Sequence, residues 1–138
     1  MNHKIQNLTP SAFAKYGTLL AFTDKESDGW EILVTSSASG WRIALLEFSR
    51  KTTHTLEHHP ESMESFEPLS GTSLIITAEH DSPSEYEVFL LDQPVCLNKG
   101  IWHQVISLSD STKVKITENL SVECVYFELD HEIEAAVR

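Results

Sequence analysis

Several features that would assign a chain of 138 residues to a specialised class are scarce in this sequence. The two cysteines, Cys96 and Cys124, are too few for the disulfide framework of a small secreted domain. Apolar runs stay well short of the roughly 20 residues that span a bilayer, and residues 1–6 contain no apolar segment of signal-peptide length. We therefore expect a cytoplasmic protein with two buried, reduced thiols. A catalytic cysteine is the alternative, but no neighbouring residue suggests a lowered thiol pKa.

Positive charge is scarce as well. The chain has 10 Lys and Arg residues against 21 Asp and Glu residues, which gives a net charge of −11. An acidic surface repels phosphate backbones and anionic lipids, so we expect neither a nucleic-acid partner nor a membrane partner. The glycine-rich motifs GxGxxG and GxxxxGKS/T are missing too, so we expect no nucleotide cofactor. A small-molecule substrate is the partner that remains.

What the chain does contain is an ordinary globular composition, 41% hydrophobic, with many short strand signals. No repeat, low-complexity tract or linker divides it, so we predict one domain over residues 1–138. The strand signals, separated by turn residues, lie at residues 41–48, 74–78, 86–91, 113–117 and 122–129. This pattern predicts an all-β sandwich or small barrel, and residues 41–48, apolar on both faces, predict a strand inside it.

Helical signals are confined to the two ends of the chain. Thr9 can cap a helix, Pro10 suits its first turn and Gly17 suits its exit, so residues 9–17 predict a short helix. The tail, residues 130–138, is the other helical candidate.

Residues 56–71 hold the densest group of candidate ligands. Side chains two apart on a strand share a face, so Glu57 and His59 point together while His58 points away. A turn follows, and Glu64 lies on the next strand. If the two strands pair, the two carboxylates and the imidazole converge on one interior point.

A second imidazole, His103, follows Gly100, which permits a tight turn. Together Glu57, His59, Glu64 and His103 predict a site for a divalent ion such as zinc, manganese, iron or nickel. The alternative is a hydrogen-bonded polar cluster in the mouth of a barrel.

Three further residues are candidates for substrate binding, each with a plainer alternative. Arg42 and Lys99 are the nearby positive charges that would clamp an anionic substrate, or they are ordinary surface residues. Trp102 is either a platform for the substrate or part of the core. His54 lies either at the barrel mouth or in solvent.

The spacing of these residues resembles two motifs of the cupin superfamily. The matching spacings are His59-x4-Glu64-x6-Gly71 for the first motif and Gly100-x2-His103 for the second. Glu57 stands at the first ligand position, where cupins have histidine, and Asn98 replaces the proline of the second motif.

The order of several short motifs is similar to that of the ureidoglycolate lyase family of cupins, over roughly residues 8–128. The matching segments are residues 8–17, 41–44, 56–60, 65–69, 74–78 and 100–103. Three positions depart from the family pattern: His58 stands for an arginine, Glu64 for a glutamine, and Gln104 for a second histidine.

The resemblance implies a cupin-type double-stranded β-helix, that is a jelly-roll barrel, with a short N-terminal helix, and it implies a homodimer. It also implies cleavage of ureidoglycolate to glyoxylate and urea. His103 or His59 would be the base, Glu57 or Glu64 the acid, and a bound divalent metal ion would polarise the substrate. The three departures leave a second hypothesis open: a non-catalytic or differently catalytic cupin that binds a small metabolite or a divalent metal.

Overall fold

The protein is an all-β structure with one short helix. The computed structural model describes residues 2–23 and 28–136. In chain order the elements are β1 (Ile5–Gln6), α1 (Pro10–Phe13), β2 (Gly17–Leu19), β3 (Trp41–Phe48), β4 (Thr52–His58), β5 (Glu64–Ser70), β6 (Ser73–Ala78), β7 (Glu87–Leu90), β8 (Val95–Leu97), β9 (Trp102–Ser107), β10 (Thr112–Asn119) and β11 (Val125–Glu134).

The strands form two facing sheets. The six-stranded sheet has the order β1-β7-β6-β9-β4-β11, and the five-stranded sheet has the order β2-β8-β5-β10-β3. Neighbouring strands run antiparallel, except that β1 pairs in parallel with β7. From β3 onward the chain alternates between the sheets at each step, apart from the β6–β7 hairpin. This winding confirms the cupin-type double-stranded β-helix.

The main core lies between the two sheets, because one side chain in two along each strand points inward. The six-stranded sheet contributes Ile75, Phe89 and Val105 to this core, and the five-stranded sheet contributes Phe66, Val95 and Val114. Each buried side chain of this size stabilises the fold by about 1.5–3 kcal/mol. The apolar core therefore stabilises the barrel enough to offset the cost of burying some polar side chains.

A second apolar cluster covers the opposite, outer face of the six-stranded sheet, and we call it the outer cluster. It includes Leu56, Ile76, Trp102 and Ile106, with Leu129 and Ile133 from β11. The pairing of β11 with β4 shifts register between Glu128 and Ile133. Both faces of this sheet are thus buried.

The two helix predictions have different outcomes. The N-terminal helix is confirmed but shorter, since α1 ends at Phe13; the Thr9 hydroxyl accepts from the amide of Ala12 at 3.2 Å, as a capping residue should. The predicted C-terminal helix is wrong. Its first residues extend β11, where Ile133 pairs with Thr53 of β4. Pairing with a neighbouring strand outweighs a weak local helix preference. Residues 137–138 of that prediction lie outside the described residues.

The prediction that residues 41–48 lie inside the sandwich is also wrong in part. The strand forms, but it is the edge of the five-stranded sheet, paired only with β10 among the described strands. Its outward side chains, Trp41, Ile43 and Leu45, are exposed.

No helix in the described part of the chain is long and apolar enough to cross a membrane.

Candidate functional site

Two rows of polar side chains face each other across the barrel. The first, which we call the histidine row, belongs to the six-stranded sheet. Glu57 lies opposite His103 on the neighbouring strand, with Tyr126 beyond Glu57 and Thr77 beyond His103. Residues directly opposite each other on antiparallel strands point to the same face. All four side chains therefore lie on the inner face of this sheet, where Tyr126, on the edge strand β11, is exposed.

The second row belongs to the five-stranded sheet, and we call it the carboxylate row. Glu118 of β10 lies opposite Glu64 of β5 on one side and opposite Arg42 of β3 on the other. The two rows meet where His103 Nε2 lies 2.8 Å from Glu64 Oε1. Glu57 Oε1 lies 3.7 Å from the same His103 nitrogen.

His59 reaches this point from the connection that follows β4. Its Nε2 lies 3.3 Å from Glu64 Oε1, and its carbonyl accepts from the Gly100 amide at 3.0 Å. Strands β4 and β5 belong to different sheets and do not pair, so the condition under which the sequence predicted convergence is not met. The side chains converge because the chain crosses from one sheet to the other between His59 and Glu64.

Backbone carbonyls set the proton positions of both imidazoles. His59 Nδ1 lies 3.0 Å from the Glu123 carbonyl, and His103 Nδ1 lies 2.9 Å from the Ile101 carbonyl. A carbonyl only accepts hydrogen bonds, so each Nδ1 is the donor. In the neutral ring each Nε2 then carries a lone pair, which is the arrangement found in histidine ligands of metal ions.

His59, Glu64 and His103 form what we call the buried triad, and each of these residues is at most 6% exposed. Their Nε2, Oε1 and Nε2 atoms find no hydrogen bond of good geometry among the residues that the structure describes, despite separations of 2.8 and 3.3 Å. Lone pairs this close repel one another unless a positive charge lies between them. The donor atoms of the triad all lie within 4.8 Å of one another, a spacing that fits one divalent ion.

The ionisation of the triad follows from the same contacts. Burial acts to lower the pKa of an imidazole, because it penalises the charged ring. The Glu64 carboxylate outweighs burial, raising the pKa of His59 to about 9 and raising that of His103 as well. Burial acts to raise the pKa of Glu64, yet the two imidazoles hold it below its ordinary value. The triad thus holds a proton or exchanges it for a metal ion.

Glu118 is a further residue of the site, which was not among the candidates expected from the sequence. This side chain is 7% exposed, and its Oε2 accepts from Arg42 Nε at 2.9 Å and from an Arg42 terminal nitrogen at 2.6 Å. Its Oε1 has no partner among the described residues. The sequence does contain one indication of this residue: Glu118 follows Val114 and Ile116 at intervals of two residues, so it shares their inward face of the strand.

The other candidates lie at different distances from the triad. Arg42 belongs to the carboxylate row, but its guanidinium already pairs with a carboxylate. Lys99 is exposed and lines a surface cleft with Glu61 and Asn119. Trp102 lies in the outer cluster, where its Nε1 donates to the His80 carbonyl at 2.8 Å.

Two further histidines lie outside the triad. His58 faces the outer side of the sheet, as strand parity predicts, and packs on the Trp102 ring at 4.3 Å between ring centroids. His54 is exposed, with its Nδ1 2.7 Å from Glu128 Oε2. Of the two cysteines, Cys96 is buried as expected, but Cys124 is exposed.

Comparisons with known proteins agree with the sequence resemblance. A family model described as ureidoglycolate lyase matches residues 29–134, more than half of the chain. No curated protein matches the chain.

Solved structures align at low identity. A mutant of Bacillus subtilis oxalate decarboxylase aligns with a TM-score of 0.49 and 16% identity, covering 65% of this chain and 24% of that one. The vicilin of Solanum melongena aligns with a TM-score of 0.49 and 17% identity, covering 64% and 24%. The chain thus spans about a quarter of the length of these two structures.

Proposed function

The chain belongs to the ureidoglycolate lyase family, and from this premise we propose that it cleaves ureidoglycolate into glyoxylate and urea. The observation that carries the proposal is the buried triad, in which His59, Glu64 and His103 direct unpartnered polar atoms at one point inside the barrel. Such atoms are costly to bury without a ligand or a reaction that uses them.

The residues present fit a divalent metal ion. His59 and His103 would bind it through Nε2, and Glu64 would bind it through a carboxylate oxygen. A bound ion would polarise the hydroxyl and carboxylate groups of the substrate. The Glu123 and Ile101 carbonyls hold the two rings in the required tautomer and orientation.

Glu57 is the group placed to move protons. Its side chain is 26% exposed and lies beside His103, at the edge of the triad that opens to solvent. In the proposed reaction its carboxylate accepts the proton of the substrate hydroxyl. The carbon–nitrogen bond then breaks, its electron pair goes to the urea nitrogen, and Glu57 returns the proton to that nitrogen. No proton is gained or lost overall.

Arg42 is the cation that supports binding of the substrate carboxylate. Its side chain is 47% exposed, so part of the guanidinium faces solvent while the rest pairs with Glu118. A guanidinium binds a carboxylate through paired hydrogen bonds. Glu118 orients Arg42, and it also offsets part of the positive charge.

The test is the release of glyoxylate from ureidoglycolate by protein purified without chelators. We expect release well above the uncatalysed rate, lost in His103→Ala and kept in His54→Ala, whose side chain is exposed and pairs with Glu128. No release above background from the metal-loaded parent protein would reject the proposal.

A second function, a cupin that binds a metal ion or metabolite without this reaction, is favoured by one observation. Glu118 occupies the guanidinium of Arg42, which weakens the site for an anionic substrate. Stoichiometric metal binding without glyoxylate release would support this alternative.

A further inference from the structure

A second group of metal-ligating side chains lies at the edge of the triad. Donor atoms of Glu57, His59 and Cys124 all lie within 4.8 Å of one another. The group shares His59 with the buried triad, and that side chain is 5% exposed with an unpartnered Nε2. Cys124 is exposed, so this group opens to solvent where the triad does not.

The fold brings these three residues together by strand pairing. Cys124 comes directly before β11, whose Tyr126 lies opposite Glu57 of β4. The preceding residue, Glu123, holds the His59 ring through its carbonyl. The segment that orients His59 therefore also carries the thiol, so the two donors keep a defined separation.

The local charge favours a cation. The surrounding carboxylates are Glu57, Glu64 and Glu118, and Arg42 is the guanidinium that pairs with the last of them. Carboxylates nearby make a bare thiolate unfavourable. A divalent ion would supply the positive charge that lets the thiol lose its proton and bind.

We propose that Glu57, His59 and Cys124 form an outer metal position that takes a thiophilic divalent ion such as zinc or cobalt. Thiolate, imidazole and carboxylate are all ligands of zinc, whereas manganese favours oxygen donors over thiolate. Binding replaces the thiol proton by the metal ion and releases that proton to solvent.

The outer position and the buried triad exclude each other. His59 Nδ1 is engaged by the Glu123 carbonyl, which leaves Nε2 as the one lone pair that either position can use. The type of ion therefore determines which position is occupied. A thiophilic ion binds at the outer position with Cys124, and a harder ion binds at the buried triad with Glu64 and His103. This selection deepens the proposed metal site and does not depend on the lyase activity.

The experiment is a cobalt(II) titration of the full-length protein, reduced and free of chelator, followed by optical absorption. We expect a near-ultraviolet thiolate-to-cobalt charge-transfer band in the parent protein. Cys124→Ser should lose this band yet keep visible cobalt bands from ligation by the triad. Cys96→Ser is the matched control, since Cys96 is buried elsewhere, and it should keep the charge-transfer band.

A zinc titration gives a second readout. Cys124→Ser should weaken zinc binding by about tenfold or more, a loss typical of altered metal sites, and leave manganese binding unchanged.

Cobalt binding without a charge-transfer band, or a band that survives Cys124→Ser, would overturn the outer position and leave the triad as a metal site. No cobalt binding at all would overturn both metal positions. Glyoxylate release, measured separately, reports on the lyase activity in either case.

Discussion

Two consecutive histidines at the end of β4 are buried on opposite sides of the six-stranded sheet, His58 on the outer side and His59 on the inner side. His58 and His59 are neighbours in sequence, and each is 5% exposed. On the outer face, His58 packs against the rings of Trp102 and His80, and burial lowers its pKa. On the inner face, the Glu64 carboxylate raises the pKa of His59 to about 9.

The difference shows that the facing side chains, and not the degree of burial, decide what a buried histidine does. An aromatic neighbour offers no counter-charge, so the outer ring stays neutral and serves as packing. A buried carboxylate makes the inner ring a holder of protons or metal ions. Substitutions on the two faces should therefore change different properties of the protein.

The largest effect should come from the inner face. We expect His103→Ala to lower kcat/KM for glyoxylate release about a hundredfold, about 3 kcal/mol of transition-state stabilisation, because it removes one of the two converging imidazoles. Steady-state kinetics of the parent and the variant make the comparison. Equal kcat/KM in the parent protein and in His103→Ala would show that His103 does not contribute to the reaction.

A smaller loss should follow from Glu57→Gln, which keeps the shape of the side chain but removes its charge. We expect kcat/KM to fall about tenfold or more, because an amide cannot accept the hydroxyl proton, while manganese binding by the triad stays intact. Metal content and turnover are measured on the same preparation. If manganese is lost along with turnover, Glu57 is a ligand of that ion.

On the outer face, His58→Phe should change stability and leave turnover unchanged. His58 Nδ1 is buried without a partner among the described residues, so an apolar ring should raise the free energy of unfolding by about 1 kcal/mol. Urea denaturation measures this change. A large drop in glyoxylate release would mean that the outer face contributes to the site.

The smallest effect should come from His54→Ala, an exposed position of β4. His54 is exposed and contacts the exposed Glu128, and a polar contact between two exposed side chains is weakened by solvent. We expect turnover and metal content to stay within experimental error of the parent protein. A clear loss of turnover or of metal content in His54→Ala would show that His54 contributes to the site.

Strand parity explains why much of the site could be predicted. The alternation that separates His58 from Glu57 and His59 is local, so it holds whichever strands later become neighbours. Glu118 could not be predicted, because its position in phase with apolar residues does not by itself distinguish it from a surface glutamate. Its place in the site depends on the pairing of β10 with β5. Cys124 escaped for the same reason, since its proximity to His59 depends on where β11 pairs. The single domain, the homodimer and the cytoplasmic location stay predictions.

The sequence by itself determined the all-β class, the N-terminal helix, the family and the inward face of β4, because composition, capping residues, motif order and side-chain alternation are properties of short segments. Only the tertiary structure decided that β4 and β5 join different sheets, that β3 is an edge, that the tail is a strand, and that Glu118 and Cys124 border the triad. These outcomes depend on pairing between segments far apart in the chain. The energy of such pairing comes from the packing of both partners and cannot be read from either one alone.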